Sequence, residues 1–231
     1  MVNGKALYPR MYGDKGWYNY SSAKYTSGAL EIYYLSQRAA DRKLVEGNGW
    51  LQFLAGKNPG YPEAALRSQL ASIRAKVQAM RKDKTTPDTR LSDDPMAYNP
   101  CSVHSLINLM LGGLHPHHQG RPLQCRLRYF DSLRRRAGIP EDVAALVESM
   151  SNDQVVVTLV NTNQLKSRLV TVQAGGYAEH QFLTVQTGKR VDQVQAPVFR
   201  VRLAPGCGRK LTIRMKRFTN QPSMLFPWDR K

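Results

Sequence analysis

The sequence predicts an α+β protein, with an N-terminal helical region over residues 1–120 and an antiparallel β-sandwich over 121–231. Three observations predict it. Before about residue 120, apolar residues recur three and four apart, the period of a helix face. After it, apolar and polar residues alternate in short runs separated by Gly and Pro turns. No strand–helix–strand rhythm runs through the chain, which disfavours a parallel α/β fold.

Residues 23–39 read as a helix, with Leu30, Tyr33, Tyr34 and Arg38 on one side. A shorter apolar helix over 45–54 carries Trp50, Leu51, Phe53 and Leu54. Asn58-Pro59-Gly60-Tyr61 interrupts the chain, and Pro62 and Glu63 suit the first turn of a new helix. There Leu66, Leu70, Ile73, Val77 and Met80 form the clearest amphipathic stripe, with Arg67, Arg74, Lys76, Arg81 and Lys82 elsewhere around the helix. A polar loop over 85–99 follows. Asn99 is expected to cap a helix from Pro100 that buries Val103, Leu106, Ile107, Met110 and Leu111, with Gly112-Gly113 as its stop.

His115 to Pro122 is linker-like, and the boundary is placed there. Strands are expected over 125–130, 154–161, 169–173, 180–186, 199–203 and 211–215. The run Val155-Val156-Val157 is β-branched and suits a central strand. Pro205-Gly206-Cys207-Gly208 reads as the turn of a hairpin joining the last two strands. The tail over 219–231, with Pro222, Pro227 and Trp228, is expected to pack back along the sandwich.

At 231 residues and 42% hydrophobic content, the chain can bury a core as one large domain or two small ones. Wholesale disorder and a membrane-spanning helix are both excluded by composition. Met1 to Arg10 lacks an apolar leader core, so a secretory signal is not expected, and the cytoplasm is expected if Met1 is the true start. Cys101, Cys125 and Cys207 are too few and scattered for a disulfide framework. The outlier is a net charge of +17, from 34 Lys and Arg against 17 Asp and Glu. Nucleic acid, anionic polysaccharide, acidic lipid and acidic protein would all be attracted.

Four groups of residues carry candidate chemistry. Tyr12, Trp17, Tyr18 and Tyr20 belong to a dense aromatic segment with Asp14 and Glu31 nearby. Flat amphipathic rings suit sugar faces, and two carboxylates at the right separation suit glycoside hydrolysis. The same rings suit the packing of an N-terminal segment, with Asp14 as a turn residue. Asp88, Asp93 and Asp94 lie in a Pro-bounded loop, where aspartates commonly form turns and caps. Cys101, His104, His115, His117, His118 and Cys125 are metal-ligand types, but no CxxC or HExxH spacing is present, and no metal or other cofactor is called.

The fourth group is basic. If the last two strands form a hairpin burying Phe199, Val201, Leu203, Leu211, Ile213 and Met215, then Arg200, Arg202, Lys210, Arg214 and Lys216 share its other face. Arg200 then stands opposite Arg214, an unfavourable pair that an anion or a carboxylate would relieve. Sulfated or uronic polysaccharide and nucleic acid both fit such a face. No dinucleotide-binding, P-loop or serine-hydrolase motif occurs, and no sequence-specific nucleic-acid-binding signature is evident.

Val155, Thr158-Leu159-Val160-Asn161, the stretch from Val198 to Gly206, and Leu211-Thr212-Ile213 resemble the C-terminal β-sandwich of many bacterial glycoside hydrolases. In such enzymes the sandwich commonly follows an (α/α) toroid, and helices come first here too. Residues 12–19, 56–59, 86–90 and 220–222 resemble the C-terminal part of large uncharacterised bacterial proteins, a likeness that implies no reaction. A full toroid has about twelve helices and four are legible here. The resemblance therefore implies one piece of a longer product, with a helical face left for a second copy or a partner chain. It also implies a carbohydrate-binding or carbohydrate-active accessory region, not catalytic alone. The other readings are a scaffold piece without independent activity and a non-specific binder of nucleic acid or other polyanions.

Overall fold

The computed structural model describes residues 8–13, 16–21, 28–86, 99–101, 103–116 and 122–230, with side chains from residue 28 onward. The chain forms two compact units, 1–48 and 49–231.

In the first unit, β1 (Tyr8–Gly13) and β2 (Gly16–Ser21) form an antiparallel hairpin, with Met11 opposite Tyr18 and Gly13 opposite Gly16. Residues 23–27 of the helix expected over 23–39 lie outside the described residues; the rest is two pieces, α1 (Ala29–Ser36) and α2 (Ala39–Arg42), followed by a 3₁₀ turn over Lys43–Val45. Gln37 sits at φ 54° and its backbone N–H donates to the Tyr33 carbonyl at 2.8 Å, ending α1 in a left-handed cap. Arg38 is extended, so it does not continue the face of Leu30, Tyr33 and Tyr34.

The second unit opens with α3 (Gly49–Leu54), α4 (Tyr61–Lys82) and α5 (His104–Leu111). In α4, Pro62 occupies the first turn as the sequence suggested. None of its 22 residues is buried: Leu70 is 51% exposed and Met80 48%. Ser105 ties α5 to α4. Its backbone N–H donates to Gln69 Oε1 at 2.8 Å and its hydroxyl to the Ala65 carbonyl at 3.3 Å.

The sandwich comprises two sheets. Strands β7 (Val143–Met150), β8 (Gln154–Asn161), β10 (Gln181–Thr187), β11 (Arg190–Ala196) and β13 (Gly208–Lys216) form the larger, in the order β11-β10-β13-β8-β7. Strands β5 (Leu127–Asp131), β6 (Arg136–Ala137), β9 (Arg168–Ala174) and β12 (Val198–Leu203) form the smaller, in the order β12-β9-β5-β6. A short ladder of β3 (Gly113–Leu114) with β4 (Gln124–Cys125) adjoins α5. All pairings are antiparallel.

The core lies between the sheets. Val155, Val157, Leu159, Phe182, Leu211, Ile213 and Met215 face it from the larger sheet, and Leu127, Tyr129, Val170, Val172, Val201 and Leu203 from the smaller. Their period-two burial is what the alternating sequence encodes. Phe182 meets Phe199 edge-to-face across the gap, ring centres 4.9 Å apart. Helices α3 and α5 both pack against β7. Here α5 departs from expectation. It begins at His104, because Asn99 Oδ1 accepts from the Cys101 N–H at 2.9 Å and makes a turn rather than a helix cap. Its buried residue is Leu109, while Val103 and Leu106 are exposed. Gly112, at φ 56°, stops the helix as the sequence indicated.

The expected terminal hairpin is absent. Strand β12 pairs with β9, and β13 pairs with β10 and β8 in the other sheet. Pro205-Gly206-Cys207 is therefore a crossover between sheets. The buried Asn161 side chain pins it, donating to the carbonyls of Ala204 at 3.0 Å and Lys166 at 2.8 Å, while its backbone N–H donates to the Cys207 carbonyl at 2.9 Å. The tail does pack back on the sandwich. Trp228 meets Phe130 edge-to-face at 5.9 Å and stacks with Phe226 at 5.0 Å, and Arg230 Nη2 donates to Gln173 Oε1 at 2.8 Å.

Candidate functional site

Because β12 and β13 lie in different sheets, Arg200 and Arg202 do not share a face with Lys210, Arg214 and Lys216. Arg200 stands opposite Thr171, not Arg214, and Arg214 stands opposite Gln154 and Thr184. The predicted like-charge clash does not exist. On the larger sheet the cations have acquired carboxylates. Lys210 pairs with Glu148, which also accepts from the Thr158 hydroxyl, and Arg214 Nη2 pairs with Asp153 at 3.1 Å. A bulge in β7 between Val147 and Ser149 is what turns Glu148 toward these partners. The Lys210 ammonium and Thr158 hydroxyl outweigh the cost of partial burial and hold the Glu148 carboxyl below the usual range. Lys216 is exposed on the same strand.

The other predicted residues are placed as follows. Tyr12 lies in β1, and Trp17, Tyr18 and Tyr20 lie in β2; their side chains are outside the described set. Asp14 is outside the described residues, as are Asp88, Asp93, Asp94, His117 and His118. Glu31 is half-buried in the first turn of α1. Cys101 precedes α5, which begins at His104, and the His104 ring stacks on His115 at 3.5 Å. Cys125 is buried, and that burial raises its thiol pKa. Among the described residues no cluster of His, Cys, Asp or Glu is arranged to hold a metal ion.

The structure assembles a different site, at the open flank of the sandwich. Strands β11 and β12 are the edge strands of the two sheets, and Pro197 alone joins them. Between them lies a cleft of about 530 Å³. Val185, Val194, Phe199, Val201 and Leu211 give it apolar walls; Ser167, Thr187 and Asp192 give it polar ones. Arg200 and Arg202 line it from edge strand β12 and Arg209 lines it from β13. Arg209 has the parity of Leu211, Ile213 and Met215, which face the core. One strand-step beyond that core, the same parity directs it to the rim of the cleft.

Several arginines of the sandwich are ion-paired away from this cleft. Arg134 pairs with Glu141 at 2.6 Å, Arg168 with Asp142 at 2.5 Å, and Arg135 with Asp229 at 3.0 Å. The side chains of Arg200, Arg202 and Arg209 have neither a hydrogen-bond nor an ion-pair partner among the described residues. The one carboxylate lining the cleft among the described residues, Asp192, is bound to Arg190 Nε at 2.8 Å. Sequence reading missed Arg209 and the role of Phe199 as a wall. An inward-parity arginine at the end of a core strand was the available signal.

Residues 45–107, which span α3, α4 and the start of α5, match the family model described as a domain of unknown function, DUF8034. No curated protein and no solved structure matches the chain. The cleft lies outside the matched segment. No helix among the described residues is long and apolar enough to cross a membrane.

Proposed function

We propose that this chain is a saccharide-binding accessory region, not catalytic alone, that holds its ligand in the cleft between β11 and β12. The observation that carries the reading is the cleft's make-up: apolar walls including one aromatic residue, with Ser167, Thr187, Asp192 and three arginines also in its lining. Apolar surface for C–H faces and a few placed polar groups for hydroxyls are what a sugar-binding concavity requires. The resemblance to glycosidase sandwich domains supports the same class of ligand. Hydrolysis needs a pair of carboxyl groups at the bond to be cut. One carboxylate, already ion-paired, suits binding better than acid–base chemistry.

A glycan-array screen of the purified chain tests this. Saccharides are expected to bind, and Val194→Trp, which fills the cleft from an edge strand, is expected to abolish that binding while preserving the unfolding midpoint. An array without saccharide ligands, or binding that survives Val194→Trp, contradicts the reading.

One observation favours a second reading, a scaffold that docks a partner chain. Helix α4 carries an amphipathic stripe yet buries none of its residues. Such a helix normally gains its stability from packing.

A further inference from the structure

We infer that the cleft selects an acidic saccharide, one bearing a carboxylate or a sulfate group, through Arg200, Arg202 and Arg209. The inference rests on the proposed saccharide-binding role and specifies its ligand. Arg200, Arg202 and Arg209 line one concavity, and none of their side chains has a partner among the described residues. Elsewhere on the sandwich, Arg134, Arg135, Arg168, Arg190, Lys210 and Arg214 are each neutralised by a carboxylate. Lys166, Lys189 and Lys216 likewise have no carboxylate partner among the described residues, but they do not line the cleft. Arginines lining one cavity raise the local positive potential, which favours a bound anion. Guanidinium is planar and matches two oxygens of a carboxylate or sulfate at once.

The shape favours a saccharide over nucleic acid. Sequence-tolerant nucleic-acid grooves present open aromatic faces for stacking bases. Phe199 is engaged edge-to-face with Phe182 across the sandwich and serves as a wall. A duplex is also too broad to enter a cleft of about 530 Å³, whereas one or two sugar rings are not. A pendant acid on such a ring meets the arginines while its C–H face meets Val194, Phe199 and Val201.

The test titrates the full chain with polygalacturonate, the same polymer after carboxyl reduction, dextran sulfate, dextran and duplex DNA. Acidic polymers are expected to bind about tenfold or more tightly than their neutral counterparts. The triple variant Arg200→Gln, Arg202→Gln, Arg209→Gln is expected to lose about tenfold or more on the acidic polymers alone. Its unfolding midpoint should not move, because these side chains hold no partner among the described residues. Lys210→Gln with Arg214→Gln, outside the cleft, is expected to leave binding unchanged. Tighter binding of polygalacturonate names a carboxylate as the recognised group, and tighter binding of dextran sulfate names a sulfate. Equal binding of acidic and neutral polymers overturns acid selection while the saccharide reading stands. No binding to any saccharide overturns both. Equal binding of duplex DNA, with the same loss in the triple variant, overturns the inference in favour of attraction by net charge.

Discussion

Phe182→Ala is expected to destabilise the protein by roughly 3–5 kcal/mol. Phe182 has no solvent exposure and lies in β10, where it meets Phe199 of the smaller sheet. The register slips between Phe182 and Thr184 against both neighbouring strands, so the ring sits at a bulge where the backbone has already been bent to seat it. Truncation removes its burial and the edge-to-face contact with Phe199, and close-packed neighbours such as Met215 cannot collapse fully into the gap. Denaturant unfolding measures the effect as a lower midpoint at unchanged slope. A loss below about 1 kcal/mol would place Phe182 outside the core. The same variant should weaken saccharide binding, since it removes what holds the Phe199 wall in place.

Acidification should destabilise the sandwich well before its carboxylates titrate. His180 is buried, and its Nδ1 accepts a hydrogen bond from the Phe218 N–H at 3.1 Å. An accepting Nδ1 with a single proton on Nε2 is the neutral ring. Burial lowers its pKa to about 3, helped by the charges of Arg126 and Arg217. The unfolded chain binds a proton on this residue near pH 6.5, and the folded chain refuses it until about pH 3. Stability is therefore complete above about pH 6.5 and falls by up to about 1.4 kcal/mol per pH unit below it. Glu141, Asp142, Glu148 and Asp153 have lowered pKa values and add a further loss at more acid pH. The His180 contribution is isolated between about pH 6 and 5. His180→Asn keeps an acceptor for Phe218 and removes the titration, so its stability should be nearly flat across that window. A wild-type protein equally flat there would contradict the account.

Much of the fold was legible because burial on one face of a strand writes a period of two into the sequence. Val155, Val157, Leu159, Leu211, Ile213 and Met215 are all core residues, as their alternation indicated. Strand β7 escaped notice because Val143-Ala144-Ala145-Leu146-Val147-Glu148 has no clean alternation, and its bulge shifts the pattern partway along. Strand β11 escaped because an edge strand with one solvated face, Arg190-Val191-Asp192-Gln193, carries little apolar signal.

What alternation cannot supply is the neighbour. The short link over 204–207 looks like a hairpin turn, yet Asn161, more than 40 residues earlier, holds it as a bridge between sheets. That single difference moved Arg200 and Arg202 away from Lys210 and Arg214. It also brought them beside Arg209 and Val194 at a cleft no local pattern describes. Helix α4 is the opposite case. Its stripe was read correctly as a helix face, but the stripe does not say what covers it.

The measurement that tests the central claim most directly is an amide chemical-shift titration of the isotope-labelled chain with an acidic oligosaccharide. The account predicts shifts concentrated in 185–194 and 199–211, the two edge strands and the crossover that line the cleft. Shifts confined to the β1–β2 hairpin, or to the Glu148, Lys210 and Arg214 face of the larger sheet, would contradict it.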